Sequence, residues 1–151
     1  MNDCDAALAE AQASGKIYSL LEFAAENWPE RPASPYAGTT YTWAQTAARC
    51  HAQATLFAGA GVARGDRVAY LGFNSNVCFE GYFSPAAIGA IFVPLNFRLA
   101  LGELVECLED CAPRVLICEP KFINQAIELS ERCPSIKQVF ISGDDESLAV
   151  L

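Results

Sequence analysis

Seven cysteines and a single histidine are the side chains of this 151-residue sequence best suited to ligate a metal or attack a substrate. The cysteines (Cys4, Cys50, Cys78, Cys107, Cys111, Cys118 and Cys133) form an odd set with no C-x-x-C pair, as expected of free, mostly buried thiols in a chain without an export signal. Cys107 and Cys111 lie one helical turn apart, but a closed zinc site takes four ligands and His51 is distant in sequence, so no metal centre is expected. His51 also sits off the apolar stripe of its helix and reads as a surface residue. Acidic residues gather at Glu103, Glu106, Glu109 and Asp110 and again at Asp144, Asp145 and Glu146, a pattern of solvated helix face and loop. The run Gly59-Ala60-Gly61-Val62-Ala63-Arg64-Gly65 resembles a phosphate cradle only in composition. It leaves a helix and opens a strand, the reverse of what a pyrophosphate site at a helix N-terminus requires, and one residue too many separates its second and third glycines. It is expected to be a helix cap plus turn, and no catalytic residue is expected in the chain.

These residues are carried by clear local signals. Ser19-Leu20-Leu21-Glu22 matches a capping box, followed by Leu21, Ala24, Ala25 and Trp28 at helical spacing and a stop at Pro29. A strand is expected near 33–37. A second capping box, Thr42-Trp43-Ala44-Gln45, opens a helix whose apolar stripe is Trp43, Ala47, Cys50, Ala54 and Phe57, with Gln45, Arg49 and Gln53 on another face. The near-continuous apolar run 67–73 predicts a buried strand, followed by a helix from Asn76 and a strand over 91–93. A helix over 101–111 carries Leu101, Leu104, Val105, Leu108 and Ala112 on one face; strands at 114–118 and 137–141 flank a helix over 122–132. This alternation predicts an α/β fold, a mostly parallel sheet flanked by helices. Residues 1–18 are expected to form a flexible N-terminus.

A net charge of −8 with scattered Lys and Arg argues against nucleic acid as a partner. The longest uncharged stretch, 81–97, is shorter than the roughly 20 residues of a spanning helix and contains Pro85 and Pro94, so no membrane span is expected. With no leader pattern at Met1–Asp5, the expected location is cytoplasmic.

An ordered series of blocks adds a further signal. Pro29-Glu30-Arg31-Pro32-Ala33, Tyr41-Thr42-Trp43-Ala44-Gln45, Gly65-Asp66-Arg67-Val68-Ala69, Asn74-Ser75, Gly89 to Asn96, Arg98-Leu99 with Glu103-Leu104, and Arg114-Val115-Leu116-Ile117 follow one another. Together they resemble the N-terminal part of the adenylate-forming (AMP-binding) superfamily of acyl-CoA synthetases, peptide-synthetase adenylation domains and beetle luciferases. Asn96-Phe97-Arg98-Leu99 resembles the Asn-x-Arg-Leu of acid:CoA ligases rather than the amino-acid-activating pattern. That resemblance implies that Arg98 faces the nucleotide phosphates of CoA, where a guanidinium offers paired donors. Two departures stand out: Gly81 and Pro85 interrupt an expected helix and predict a kink or early end, and Ala100 replaces an N-capping residue, predicting a fraying helix start.

The resemblance implies an enzyme that uses ATP and Mg2+ to convert a carboxylic or fatty acid into an acyl-adenylate and then transfers the acyl group to CoA. The family's Ser/Thr/Gly-rich phosphate loop with its lysine, the aromatic-Thr-Glu segment, the ribose-binding aspartate and the C-terminal lysine have no counterpart here. Ser142-Gly143-Asp144-Asp145 reads instead as a turn after a strand. Residues 1–151 are therefore expected to be a partial AMP-binding domain, truncated before the phosphate-binding loop and inactive alone. The alternative is a non-catalytic α/β remnant or interaction module. The strand-like stretches 91–93 and 114–118 are expected to be uncovered edges that favour self-association.

Overall fold

Val68, Ala69, Tyr70 and Leu71 are all apolar, so alternate side chains on both faces of this strand need cover, and the chain supplies helices to each. A computed structural model describes residues 3–13, 15–143 and 147–151. The elements run α1 (Asp3–Ala13), α2 (Ile17–Asn27), β1 (Pro32–Tyr36), β2 (Thr39–Thr42), α3 (Trp43–Gly59), β3 (Arg67–Leu71), α4 (Asn76–Gly81), α5 (Ser84–Ala87) and β4 (Ile91–Pro94). They continue as α6 (Leu101–Cys111), β5 (Val115–Cys118), a single 3-10 turn (Pro120–Phe122), α7 (Ile123–Arg132), β6 (Gln138–Ser142) and β7 (Leu148–Val150). The main sheet has the order β4-β3-β5-β6-β7, its first four strands parallel and β7 antiparallel to β6. β1 and β2 form a separate antiparallel hairpin.

Alternation along the strands divides the core in two. Ala69, Leu71, Leu116 and Val139 meet Leu104 and Leu108 of α6 and Leu129 of α7. On the opposite face Val68, Tyr70, Ile117 and Phe140 meet Phe57 of α3 and Val77 of α4. Leu104 and Leu108 are fully buried, each contributing roughly 1.5–3 kcal/mol by transfer from water. β5 is central, paired with β3 and β6 and buried along its length. The expectation that 114–118 is an open edge is thus corrected, because the next βα unit adds a strand beyond it. β4 does lie at an edge, with Ile91 exposed.

Other departures have local causes. Asp3–Ala13 within the segment read as a flexible terminus is alanine-rich and forms a helix packed on α2. The Ser19 capping box does not form: a turn at Gly15 (φ +65°) feeds the chain into α2 three residues earlier, with Lys16 at the N-cap and no side-chain cap. The Thr42 box forms in full, Thr42 Oγ1 accepting from Gln45 N–H at 3.3 Å and Gln45 Oε1 from Thr42 N–H at 2.9 Å. α4 ends at Gly81 and the chain resumes as α5 at Ser84, with Pro85 in the first turn, where a missing N–H is harmless. Gly81 is also required by space, since a Cβ there would enter the Phe92 ring.

Gln53 does not line a solvent face. It is buried with Glu80, whose side chain is 1% exposed. Arg49 donates to Glu80 through Nε and, at 3.2 Å, through Nη2, and Gln53 Nε2 donates to the same carboxylate. Ser84 Oγ lies 2.8 Å from Gln53 Oε1 and 3.0 Å from the Glu80 carbonyl, and the Arg49 guanidinium stacks 4.4 Å from the Tyr41 ring centroid. This network joins α3, α4 and α5. Arg49→Met is expected to destabilise the chain by about 3–5 kcal/mol by leaving the Glu80 charge buried without its cation. Replacing both partners by apolar residues, Arg49→Met with Glu80→Leu, should recover much of the loss in a urea melt.

Candidate active-site edge of the sheet

In an open parallel sheet, ligands meet the carboxyl ends of the strands at the point where successive connections leave in opposite directions. Here that point lies between β3 and β5, because β4 is added on one side of β3 and β5 on the other. Tyr70, near the end of β3, places its hydroxyl 2.6 Å from Glu119 Oε1, 2.8 Å from the Phe73 carbonyl and 2.9 Å from Ser75 Oγ. Ser75 caps α4 by accepting from Cys78 N–H at 3.2 Å. Gly72 lies beneath the pair, where a Cβ would collide with the Tyr70 hydroxyl and the Glu119 carboxyl carbon. A crevice of about 210 Å³ opens beside these groups, lined by Tyr36, Ser75, Val77, Glu119, Pro120, Ser142 and Gly143. Burial, and donation of its hydrogen bond to Glu119, push the Tyr70 phenol well above its ordinary pKa.

The loop after β4 belongs to the same edge. Leu95 is buried and anchors it; Asn96 Oδ1 accepts from Arg98 N–H at 3.1 Å and the Asn96 carbonyl from Leu99 N–H at 3.1 Å. The loop thereby turns back into α6 and leaves the Arg98 side chain exposed, 5.5 Å from the Phe97 ring centroid. At the start of α6, Ala100 supplies no side-chain cap, yet Glu103 Oε2 accepts from Ala100 N–H at 2.7 Å, so half of a capping box survives.

The other blocks do structural work. Arg67 donates to the Cys111 carbonyl and, at 2.9 Å, to the Ala112 carbonyl, closing the C-terminus of α6; Arg114 Nε lies 3.4 Å from the Ala60 carbonyl at the end of α3. The glycine run is a cap and turn: Gly59 ends α3, Gly61 has φ +78° and Gly65 φ +85° before β3. His51 is exposed. Cys50, Cys78, Cys118 and Cys133 are buried, Cys111 is half-buried and Cys107 exposed, all as free thiols. Among the described residues no group of three His, Cys, Asp or Glu side chains is placed to hold a metal ion. No described helix is long and apolar enough to cross a membrane. The Gly143 N–H donates to the Ser147 carbonyl at 2.7 Å in the turn after β6, while Asp144, Asp145 and Glu146 lie outside the described residues. Sequence reasoning passed over Lys121 and the Tyr70–Glu119 pair. The available signal was position alone, since residues directly after a parallel strand fall on the carboxyl edge.

A model of the AMP-binding enzyme family matches residues 21–150, and the chain belongs to that family. Feruloyl-CoA synthase of an Amycolatopsis species is 44% identical over 112 residues, 69% of this chain and 23% of that protein. Indoleacetate–CoA ligase of Aromatoleum aromaticum is 39% identical over 97 residues, 64% of this chain and 19% of that protein. The fold matches a Rhodopseudomonas palustris protein assigned as a long-chain-fatty-acid CoA ligase, with a TM-score of 0.80 and 28% identity over 85% of this chain and 33% of that one. The chain thus spans about a quarter of the length of the curated relatives it matches.

The thiols of this core give a pH test. Burial raises the Cys118 pKa to about 11 and pushes Cys50 higher still, whereas an unfolded thiol ionises near 9. Folded protein therefore holds protons that unfolded chain releases, so this stabilisation is complete below about pH 9 and is lost as pH rises toward the folded values. The melting temperature is expected to fall between pH 8 and pH 10.5, and Cys118→Ala should flatten that dependence.

Proposed function

We propose that this chain is the CoA-facing N-terminal portion of an ATP-dependent acid:CoA ligase. The observation that carries the reading is Arg98, exposed on the carboxyl edge of the sheet in a chain of the AMP-binding family whose relatives are named as CoA ligases. In such a ligase a carboxylate oxygen attacks the α-phosphate of ATP, releasing pyrophosphate; the CoA thiol then adds to the acyl carbon, loses its proton and expels AMP. The first half-reaction needs a phosphate-binding loop and cations that these 151 residues do not supply. The second needs CoA to be held by its nucleotide end while its thiol reaches the acyl-adenylate. Arg98 serves that positioning task. A forked guanidinium on a turn fixed by Asn96 binds phosphate oxygens through paired, charge-assisted bonds. The acid is an organic or fatty carboxylate, and a reaction that consumes ATP and CoA fits a cytoplasmic location.

The isolated chain is expected to show no ATP–pyrophosphate exchange with any carboxylic acid. Grafting its residues onto the matching segment of the Amycolatopsis feruloyl-CoA synthase should preserve Mg2+-, ATP- and CoA-dependent thioester formation. In that chimera Arg98→Ala should slow the thioester step by roughly tenfold to a hundredfold, the loss of a charge-assisted bond, and leave pyrophosphate exchange nearly unchanged. A folded chimera without either half-reaction would instead favour a non-catalytic module, and equal damage to both would make Arg98 structural.

A further inference from the structure

Arg98 has a companion on the same support. Lys121 Nζ lies 5.0 Å from the Phe73 ring centroid, as Arg98 Cζ lies 5.5 Å from that of Phe97, and those two rings meet edge to face with centroids 4.7 Å apart. The buried Phe122 closes the cluster at 5.3 Å from Phe73 and 5.8 Å from Phe97. Both cations are exposed, and among the described residues neither is in an ion pair. Several other cations are engaged, Arg49 with Glu80, Arg132 with Glu128, and Arg67 and Arg114 with helix carbonyls. The acidic residues nearest in sequence have partners of their own, Glu103 accepting from Ala100 N–H and Glu119 bonded to the Tyr70 hydroxyl. Two unpaired like charges on adjoining rings, in a chain of net charge −8, form a local site for a polyanion.

We infer that Lys121 is a second phosphate-binding residue, acting with Arg98 as a two-cation clamp on the nucleoside bisphosphate end of CoA. This rests on the CoA-ligase reading above. Two charges on separate rings suit two separated phosphate groups, Arg98 offering a fork and Lys121 a point charge on a flexible stem. The half-buried rings of Phe73 and Phe97 provide apolar surface beside the phosphates.

The test is titration of the full 151-residue chain with adenosine 3′,5′-bisphosphate and with AMP, read by NMR shifts or calorimetry at several salt concentrations. The wild-type chain is expected to favour the bisphosphate. Lys121→Gln should weaken its association about tenfold and reduce the salt slope by about one, with Lys121→Arg restoring both. Because Lys121 is exposed, thermal melts of the variants should superimpose on wild type. Wild-type affinity and salt slope in Lys121→Gln, or no preference of the wild type for the bisphosphate over AMP, would overturn the inference. If Lys121→Gln is silent while Arg98→Ala still impairs thioester formation in the chimera, only the role of Lys121 falls. Absence of both half-reactions in the folded chimera would remove the ligase reading itself.

Discussion

A carboxylate almost wholly removed from water sits between the helices that cover one face of the sheet. Glu80 is the penultimate residue of the six-residue helix α4, and its charge is balanced by Arg49 and further bonded by Gln53, both from α3. Burying an ion pair adds little net stability over well-packed apolar groups, but an incomplete pair is costly. The arrangement therefore works mainly as a geometrical constraint. With Ser84 within reach of Gln53 and of the Glu80 carbonyl, the same network spans the interruption between α4 and α5. The break at Gly81 lets Phe92 of the edge strand approach closely, and the buried polar cluster keeps the two short helices in register across it.

That constraint bears on the opposite end of the layer through β3. Tyr70 belongs to the face covered by α3 and α4, and its hydroxyl reaches Glu119 beyond β5 and the capping Ser75 of α4. A packing decision on the helical face thus sets the spacing of strand ends at the edge where ligand contacts are proposed. The loop carrying Arg98 needs little further support, because a buried leucine, an asparagine turn and an aromatic cluster already define its course.

Elements with strong local periodicity were legible from the sequence. The helix Leu101–Cys111 appears with the bounds its apolar stripe implies, and the mostly parallel sheet flanked by helices follows from the strand–helix alternation. Features set by distant partners were not. Gln53 and Glu80 are 27 positions apart, and no local pattern signals that they meet. β7 is three residues long and exists through its antiparallel pairing with β6. Arg98 was visible because it sits in a family-like block. Lys121 carries no such block, and only the folded chain shows that the two side chains share one cluster of rings.

Arg67 and Arg114 stand at the starts of adjacent parallel strands, and each reaches the carbonyl end of a helix that has just delivered the chain to that side. Their guanidinium groups are anchored at the amino margin of the sheet, so an axial slide of α3 or α6 would break a bond there before it disturbed the hydrophobic layers. The two margins consequently differ in what they tolerate. One is a fixed hinge-side built from main-chain acceptors, while loops at the other can exchange residues, and hence ligand preference, without altering how the helices are seated.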